Sequence, residues 1–512
     1  MTTPQTLASL LADRPEFTLA SGDPGTVING VTNDSRAVAR GGLFVAIPGF
    51  KVDGHDFLQQ AVDAGAAAVI VQQDHESAWS SLTGSVAVVS VEDTRRALSH
   101  ASAWFYGYPS RELAVVGITG TDGKTTTAYL ATSVLEAAGI PVGRLGTVDV
   151  YIGGEESLDT DRMTTPEAPE VQRLLRRMVD AGCRAAIVES TSHGLALHRL
   201  ADVDYDVACF TNITGDHLDF HETFEAYREA KAQLFAALSR ETGKDVPRSA
   251  VVNADDPSAN FMLGQSDATP IRFGMEAQEA ELLARNVVLR ADGTDFRILT
   301  PAGPAEVSIS LPAIFNVSNA LAAAGIGLAL GLPPQVVAQG LRNCPGVPGR
   351  MERIEAGQPF AALVDYAHTG DAVRKVLSVL REVTPGKLIL VVGAAGERDP
   401  GRRFGVARAA ADAADLAVFT SEDPRSEDPA EIVAEIGRHA EQAGRKRGTH
   451  FVELPDRREA IAHALDHAGE GDTVVVCGKG HEQSIIYGET VIPWDDRVVL
   501  REELAKRGFT GV

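Results

Sequence analysis

Leu113–Leu135 reads LAVVGITGTDGKTTTAYLATSVL: an apolar run, a glycine-rich turn and a helical stretch in succession. The order predicts a buried strand that passes through a tight turn into a helix N-terminus. Gly117, Gly120 and Gly123 let backbone amides approach phosphate oxygens, and the helix adds the positive end of its dipole. Lys124 is placed to neutralise the β- and γ-phosphates of a nucleotide, and the Thr125 hydroxyl to bind Mg²⁺. Regular phosphate-loop spacing would put glycine at position 118, where Ile118 stands, so the pattern is a variant, GxxGxxGKTT. A turn using glycine for geometry alone would not need Gly-Lys-Thr-Thr at the helix start.

Outward from this turn, valine-rich runs alternate with Ala/Leu-rich stretches. AAAVIV (66–71), AAIVES (185–190), LILVVG (388–393), LAVFTS (416–421) and TVVVCG (473–478) read as buried strands. PEVQRLLRRMVDAG (169–182) and RFGVARAAADAAD (403–415) read as helices. That alternation predicts an α/β fold with mainly parallel sheets. Between 270 and 310 the pattern changes to the polar–apolar alternation of an antiparallel insertion. Three blocks separate, the first ending near Tyr108–Pro109 and the second in NCPGVPGR (343–350). Three domains also suit 512 residues at roughly 100–200 residues each.

Composition narrows the class. With 47 basic against 70 acidic residues the net charge is −23, which argues against a broad nucleic-acid or anionic-membrane footprint but not against a local phosphate site. Four cysteines, none in a CxxC pair, suit a reducing cytoplasm and give no zinc site. The start MTTPQTLASLLADRPEF lacks the basic lead of a signal peptide. No apolar run approaches the roughly 18 residues of a membrane span. The expectation is a cytoplasmic protein.

Two further strand ends point to the phosphate turn. One carries Glu189 in VESTSHG, the other Asp216 and His217 in NITGDHLDFH. A carboxylate and an imidazole there suit a divalent ion that also touches nucleotide oxygens. The next helix has an apolar stripe of Phe224, Tyr227, Leu234, Phe235 and Leu238, and Lys231 falls on it. Such a lysine ordinarily snorkels out of its stripe. Desolvated instead, its amine becomes nucleophilic and open to carbamylation by CO₂.

The ordered set GTDGKTT, TTPE, VESTSHG, NITGDHLDFH with YREAK, NADD, FNVSNALAA, GRME and DYAHT resembles the Mur ligase family, ATP-dependent amide-bond-forming enzymes of peptidoglycan synthesis. The opening VTNDSRAVARGGLFVAIPGFKVDGHDF, SHGLALHR, GAAGERDPGRR, EDPR and GKGHE are most similar to members that add the third peptide residue. The resemblance implies a uridine-nucleotide-binding domain at 1–108, a central P-loop-type ATP-binding domain at 109–346 and a C-terminal Rossmann-like amino-acid-binding domain at 347–512. It implies ATP held by Gly120, Thr121, Asp122, Gly123, Lys124, Thr125, Thr126, Asn316, Arg350 and Asp365. Thr125 and Glu189 would hold one Mg²⁺; Glu189, His217 and Lys231, as a carbamate, would serve a second. Lys124, Lys231, His217 and Arg350 would be catalytic. Ser35, Thr164, Thr165, Thr191 and Arg199 would line the UDP-linked substrate. Arg398, Glu422, Asp423, Pro424, Arg425, Gly478 and Glu482 would hold the incoming amino acid. Met163 and Leu197 depart from the family's frequent Asn and Gln.

The implied reaction adds a diamino acid to UDP-N-acetylmuramoyl-L-Ala-D-Glu through an acyl phosphate, in a monomer that binds neither nucleic acid nor membrane. Enzymes using meso-diaminopimelate commonly carry DNPR where this chain has Glu422-Asp423-Pro424-Arg425. The retained arginine favours that amine, because it can grip a distal carboxylate. The additional acid keeps L-lysine and L-ornithine open, and Arg425 could instead tie its own loop to Glu427 or Asp428. The alternative outside this branch is a ligase like folylpolyglutamate synthase, which would not use the Asp34-Ser35-Arg36 segment.

Overall fold

The run read as a buried strand is Ala114–Thr119, and it lies inside a sheet with a parallel neighbour on each side. The computed structural model describes residues 5–50, 52–82, 84–157, 163–215, 218–240, 243–290, 293–399 and 401–511. Two compact units are present, Met1–Leu283 with Leu299–Pro304 and Ser318–Gly340, and Ala284–Ile298 with Ala305–Val317 and Leu341–Val512.

Among the described residues the first unit carries two larger sheets besides the short pair Gln5–Thr6 with Val27–Ile28. Near the N-terminus, Val31–Thr32, Leu43–Val45, Ala68–Gln72 and Ala87–Val91 run parallel, with Thr18–Ser21 antiparallel at the edge. Leu43–Val45, Ala68–Gln72 and Ala87–Val91 are buried on both faces, one packing with Trp104 and Leu98, the other with Leu58 and Trp79. The larger sheet places Val142–Leu145, Ala185–Glu189, Ala114–Thr119, Val207–Phe210, Ser249–Asn253 and Thr269–Gly274 side by side and parallel. Parallel strands sheltered on both faces need near-continuous apolar runs, which is why the sequence displayed them as blocks of Val, Ile and Ala. The chain leaves Ala114–Thr119 for neighbours on either side, which makes its carboxyl end a topological switch point, where open sheets form a crevice.

The helix Phe224–Ala236 lies against this sheet, and Thr223 caps it by accepting Ala226 N–H at 3.1 Å. Gly117 explains the closeness of the packing. A methyl there would meet Leu234 Cδ1 at 2.5 Å and Tyr205 Cε1 at 2.7 Å. Its place in the phosphate-turn reading is therefore corrected: it sits inside the strand and serves helix-to-sheet contact.

In the second unit, Ala361–Asp365, Thr473–Cys477, Leu388–Ala394, Leu416–Ser421 and Phe451–Glu453 form a parallel sheet with Glu352–Arg353 antiparallel at one edge. Successive residues alternate between two apolar layers, Leu390, Val392 and Val475 on one side, Ile389, Val391 and Val474 on the other. The alternating segment expected near 270–310 includes an antiparallel pair, Gly293–Leu299 with Ala305–Ile309. Among the described residues no helix is long and apolar enough to cross a membrane.

Candidate active site

The turn after Ala114–Thr119 is shaped by two glycines with positive φ, Gly120 at 153° and Gly123 at 86°. A methyl on Gly120 would overlap the Thr211 hydroxyl, and one on Gly123 the Asn319 side chain. The loop is pinned from the neighbouring strand end. Thr121 N–H donates to Asn212 O at 2.8 Å, Asp122 N–H to Asn212 Oδ1 at 3.0 Å, and Thr211 Oγ1 to Asp122 O at 2.7 Å. Helix Lys124–Ala137 then begins at Gly123 without a side-chain cap, so its first-turn amides can serve an anion. Lys124 Nζ folds back onto Gly120 O and Thr121 O, both at 2.9 Å.

Lys231 does not snorkel. It is 1% exposed, and its ammonium donates to Gly120 O at 2.7 Å while lying 4.4 Å from the centre of the Tyr227 ring. Burying Tyr227, Leu234 and Phe235 on the same face stabilises the helix by about 1.5–3 kcal/mol each. A desolvated cation–π contact adds about 2 kcal/mol, against a desolvation cost of several kcal/mol for a buried ammonium. Tyr227 OH also meets Thr121 Oγ1 at 3.1 Å. The lysine is thus held beneath the glycine turn by the stripe that would ordinarily exclude it.

Glu189, also 1% exposed, extends from the adjacent strand, where it stands opposite Ile118. Its Oε2 accepts the hydroxyls of Thr125 at 3.0 Å and Thr147 at 3.0 Å; its Oε1 accepts Thr147 N–H at 3.1 Å. Thr147 in turn touches Thr164 Oγ1 at 3.0 Å. Thr165 Oγ1 donates to Glu189 O at 2.8 Å and accepts Thr191 Oγ1 at 3.0 Å. Arg199 donates to Thr165 O at 3.0 Å and pairs with Glu167 at 2.7 Å. Residues expected at the metal and residues expected at the UDP-linked substrate therefore belong to one hydrogen-bonded network. Thr147, which joins the two groups, belongs to no motif read from the sequence. Within the motifs VESTSHG and NITGDHLDFH an aromatic series sets His193 on Phe220 at 4.2 Å and His221 near Tyr227 at 5.2 Å.

Other expected residues lie apart from this network. Ser35 is buried and donates to Gln60 Oε1 at 3.0 Å, in the N-terminal sheet region. Met163 places its sulfur 3.8 Å from Arg199. Asp216 and His217 lie outside the described residues. Asp53, His55 and His75 cluster closely enough to suggest a metal site, but both His55 nitrogens are used. Nδ1 meets Asp53 at 2.7 Å and Nε2 accepts Gln72 N–H at 3.0 Å, so this group braces a loop.

In the second unit, the expected residues follow the carboxyl ends of adjacent parallel strands, with Asp365 opposite Cys477 and Ala394 opposite Ser421. Asp365 accepts the N–H groups of Met351 at 2.7 Å and Ala367 at 2.8 Å, and burial raises its pKa despite nearby Arg350. The Arg350 guanidinium lies 4.7 Å from the Tyr366 ring centre. Asn316 donates to Pro312 O at 2.6 Å. Asp423 Oδ1 accepts Lys479 Nζ at 2.9 Å and Ile486 N–H at 3.0 Å, and Lys479 pairs with Glu482 as well at 2.5 Å. Burial pushes the Glu422 carboxyl up to about 7, against the pull of Lys479 and Arg457. Gly478 N–H donates to Asp365 O at 3.2 Å. Arg425 sits at φ 55°, Pro424 precedes it, and Arg398 is exposed. No ion pair joins Arg425 to Glu427 or Asp428 among the described residues: Glu427 pairs with Arg403 at 2.7 Å, and Asp428 caps the helix Pro429–Gln442. Lys479, inside the quoted GKGHE yet passed over, is the residue on which this cluster turns.

Comparison with known proteins accords with this geometry. Residues 27–106 match the Mur ligase family catalytic domain, 118–327 the Mur ligase middle domain, and 349–480 the Mur ligase glutamate ligase domain. The chain is 46% identical to a UDP-N-acetylmuramyl-tripeptide synthetase of Roseiflexus sp. (strain RS-1), covering 94% of this chain and 96% of that one. It is 40% identical to a UDP-N-acetylmuramoyl-L-alanyl-D-glutamate–2,6-diaminopimelate ligase of Geobacillus kaustophilus (strain HTA426), covering 98% and 100%. A solved structure of a ligase with that same name superposes with a TM-score of 0.70 at 29% identity, covering 100% of both chains. The chain, an α/β protein of three-domain Mur ligase fold, belongs to the Mur ligase family.

Proposed function

We propose that the protein is an ATP-dependent ligase of peptidoglycan synthesis that joins meso-diaminopimelate to UDP-N-acetylmuramoyl-L-Ala-D-Glu. The observation that carries this reading is the network in which the glycine turn, Thr125, Glu189 and the Thr164–Thr165 pair meet, with Lys231 beneath the same turn. The γ-phosphate of ATP passes to the terminal glutamate carboxylate, giving an acyl phosphate and ADP. The amine of the third residue attacks the acyl carbon and loses its proton. Phosphate then leaves, and an amide remains.

The residues contribute charge and placement. Lys124 and the first-turn amides neutralise phosphate oxygens as charge shifts between two anions. Thr164, Thr165, Thr191 and Arg199 orient the acceptor peptide, and Ser35 holds the uridine end. The oxygen donors of Thr125 and Glu189 suit Mg²⁺, with His217 and a carbamate on Lys231 assigned to a second ion. Bound there, Mg²⁺ supplies positive charge against the phosphates. Asn316, Arg350 and Asp365 are assigned to ATP by the family pattern alone. Arg398, Glu422, Asp423, Pro424, Arg425, Gly478 and Glu482 receive the amino acid. Domain limits of 1–108, 109–346 and 347–512, a monomer, and a cytoplasmic setting for its nucleotide substrates complete the reading.

The test is direct. The protein is incubated with UDP-N-acetylmuramoyl-L-Ala-D-Glu, ATP, Mg²⁺ and each of meso-diaminopimelate, L-lysine and L-ornithine. An amide product, with ADP and phosphate in equal amounts, is expected with meso-diaminopimelate. ATP hydrolysis without amide would defeat the ligase reading; a preference for lysine or ornithine would defeat the choice of amine.

A further inference from the structure

The carboxyl ends of the second unit's strands gather three acids, Glu422, Asp423 and Glu482, around one fully buried lysine, Lys479. Lys479 reaches Asp423 at 2.9 Å and Glu482 at 2.5 Å. Arg457, a buried cation that also acts on Glu422, is already neutralised by two hydrogen bonds to Asp496, at 2.7 and 2.6 Å. Glu422 keeps Oε2 buried with no hydrogen-bond partner among the described residues, and burial raises its pKa, so it is the weakest acid of the three. Ile486 ties the group to Arg425: its N–H donates to Asp423 Oδ1 at 3.0 Å, and its carbonyl accepts Arg425 N–H at 3.0 Å. The Arg425 Nε is buried without a hydrogen-bond partner among the described residues.

Charge bookkeeping decides what such a site accepts. Lys479 satisfies one of the two acids it touches, Asp423 and Glu482, which leaves one negative charge between them, and among the described residues no acid forms an ion pair with Arg425. We propose that Lys479 is the positioning residue that sets amine selectivity: by pairing Asp423 and Glu482 together, it fits the site to an amine whose far end carries ammonium and carboxylate at once. A side chain ending in ammonium alone would leave Arg425 unmatched and bring a like charge towards it. Without Lys479, both acids would be uncompensated and the site would turn towards the cationic amines. The inference rests on the ligase reading above and adds a residue to it that touches no substrate.

The experiment measures kcat/KM for meso-diaminopimelate and for L-lysine, with ATP and the UDP-linked substrate saturating, and KM for ATP separately. In Lys479→Met the ratio of the two should fall about ten-fold or more, through KM for the amine, with KM for ATP unchanged. Lys479→Arg should keep the ratio. The double variant Lys479→Met/Asp423→Asn removes the pair together; kcat/KM should fall for both amines, since Asp423 is assigned to the amino acid, while their ratio returns to within about three-fold of wild type. A ratio in Lys479→Met equal to wild type overturns the proposal, as does a double variant as shifted as the single one. Should Lys479→Met fail to fold, the other two variants decide: both near wild type supports the proposal, either one shifted about ten-fold overturns it. Wild type making no amide with either amine would fail the ligase reading and the inference together, whereas amide with an unchanged ratio fails the inference alone.

Discussion

Lys231 sets its ammonium nitrogen 2.7 Å from the carbonyl oxygen of Gly120, although 111 positions separate the two in the chain. The contact joins the helix Phe224–Ala236 to the phosphate turn from beneath, and it accounts for a lysine on an apolar stripe. A purely structural lysine and one that carries a carbamate make opposite predictions when the side chain is removed.

Lys231→Ala should lose ligation by about a hundred-fold or more, since it removes a group assigned to charge compensation in phosphoryl transfer. A small carboxylic acid such as acetate should restore part of the activity by standing in for the carbamate. A folded variant with wild-type turnover and no additive would end the idea. Loss that acetate cannot reverse would leave the lysine a structural role beneath the turn.

Lys124→Ala should abolish ligation while affinity for the UDP-linked substrate stays nearly unchanged, measured by calorimetry without ATP. The side chain bonds to the turn carbonyls of Gly120 and Thr121, and the uridine end is assigned elsewhere. A large loss of UDP-substrate binding with ATP binding intact would contradict the assignment.

Thr147→Val keeps shape and removes one hydroxyl that Glu189 and Thr164 both touch. A hydrogen bond to a charged group contributes about 1.5–3 kcal/mol. We therefore expect kcat to fall by roughly ten- to a hundred-fold and the Mg²⁺ requirement to rise. A variant matching wild type in both would show that Thr147 only fills space.

The uneven legibility of these residues has a physical basis. Glycine turn, strand runs and the anomalous Lys231 were readable because each is a local pattern: continuous burial, helix start, a charge on an apolar stripe. Thr147 was not, because RLGTVDV becomes meaningful only through the pairing of Leu145 with Val188, which sets it beside Glu189. The same holds for Lys479, whose partner Asp423 follows Leu416–Ser421, a strand related to Thr473–Cys477 only through Leu388–Ala394 between them. Gly117 misled because a glycine for close packing and a glycine for a turn look identical in one sequence. For the rival reading of Arg425 as a loop tie, the structure gives Glu427 to Arg403 and Asp428 to a helix cap.

Arg425→Ala should lower kcat/KM for meso-diaminopimelate by about ten-fold or more, the loss of at least one charge-assisted bond. L-Lysine, which lacks the distal carboxylate, should change far less. A variant that loses both amines equally would make Arg425 a loop residue, and a wild type preferring lysine would remove the premise.

Glu422 supplies a prediction about stability without any substrate. Burial raises its carboxyl from the ordinary value of 4.5 to about 7. In the unfolded chain the group ionises at its ordinary value, while in the fold it holds its proton up to about 7. Between those two values the native state therefore binds more protons than the unfolded state, and stability falls as pH rises through that window. The sign is opposite to that of a salt-bridged carboxylate, which stabilises at high pH. Glu422→Gln cannot ionise and should lose this dependence. Denaturant midpoints measured from pH 4.5 to 7.5 should show the variant gaining on wild type by up to about 3 kcal/mol across the window. Below pH 4.5 the two curves should run parallel, because both folds then carry a neutral group. The same trend should weaken when meso-diaminopimelate is present, if its ammonium approaches the acids and favours the ionised form. A constant difference between variant and wild type at every pH would mean that Glu422 ionises in the fold as it does in water, and that the buried acid is paired with a cation after all.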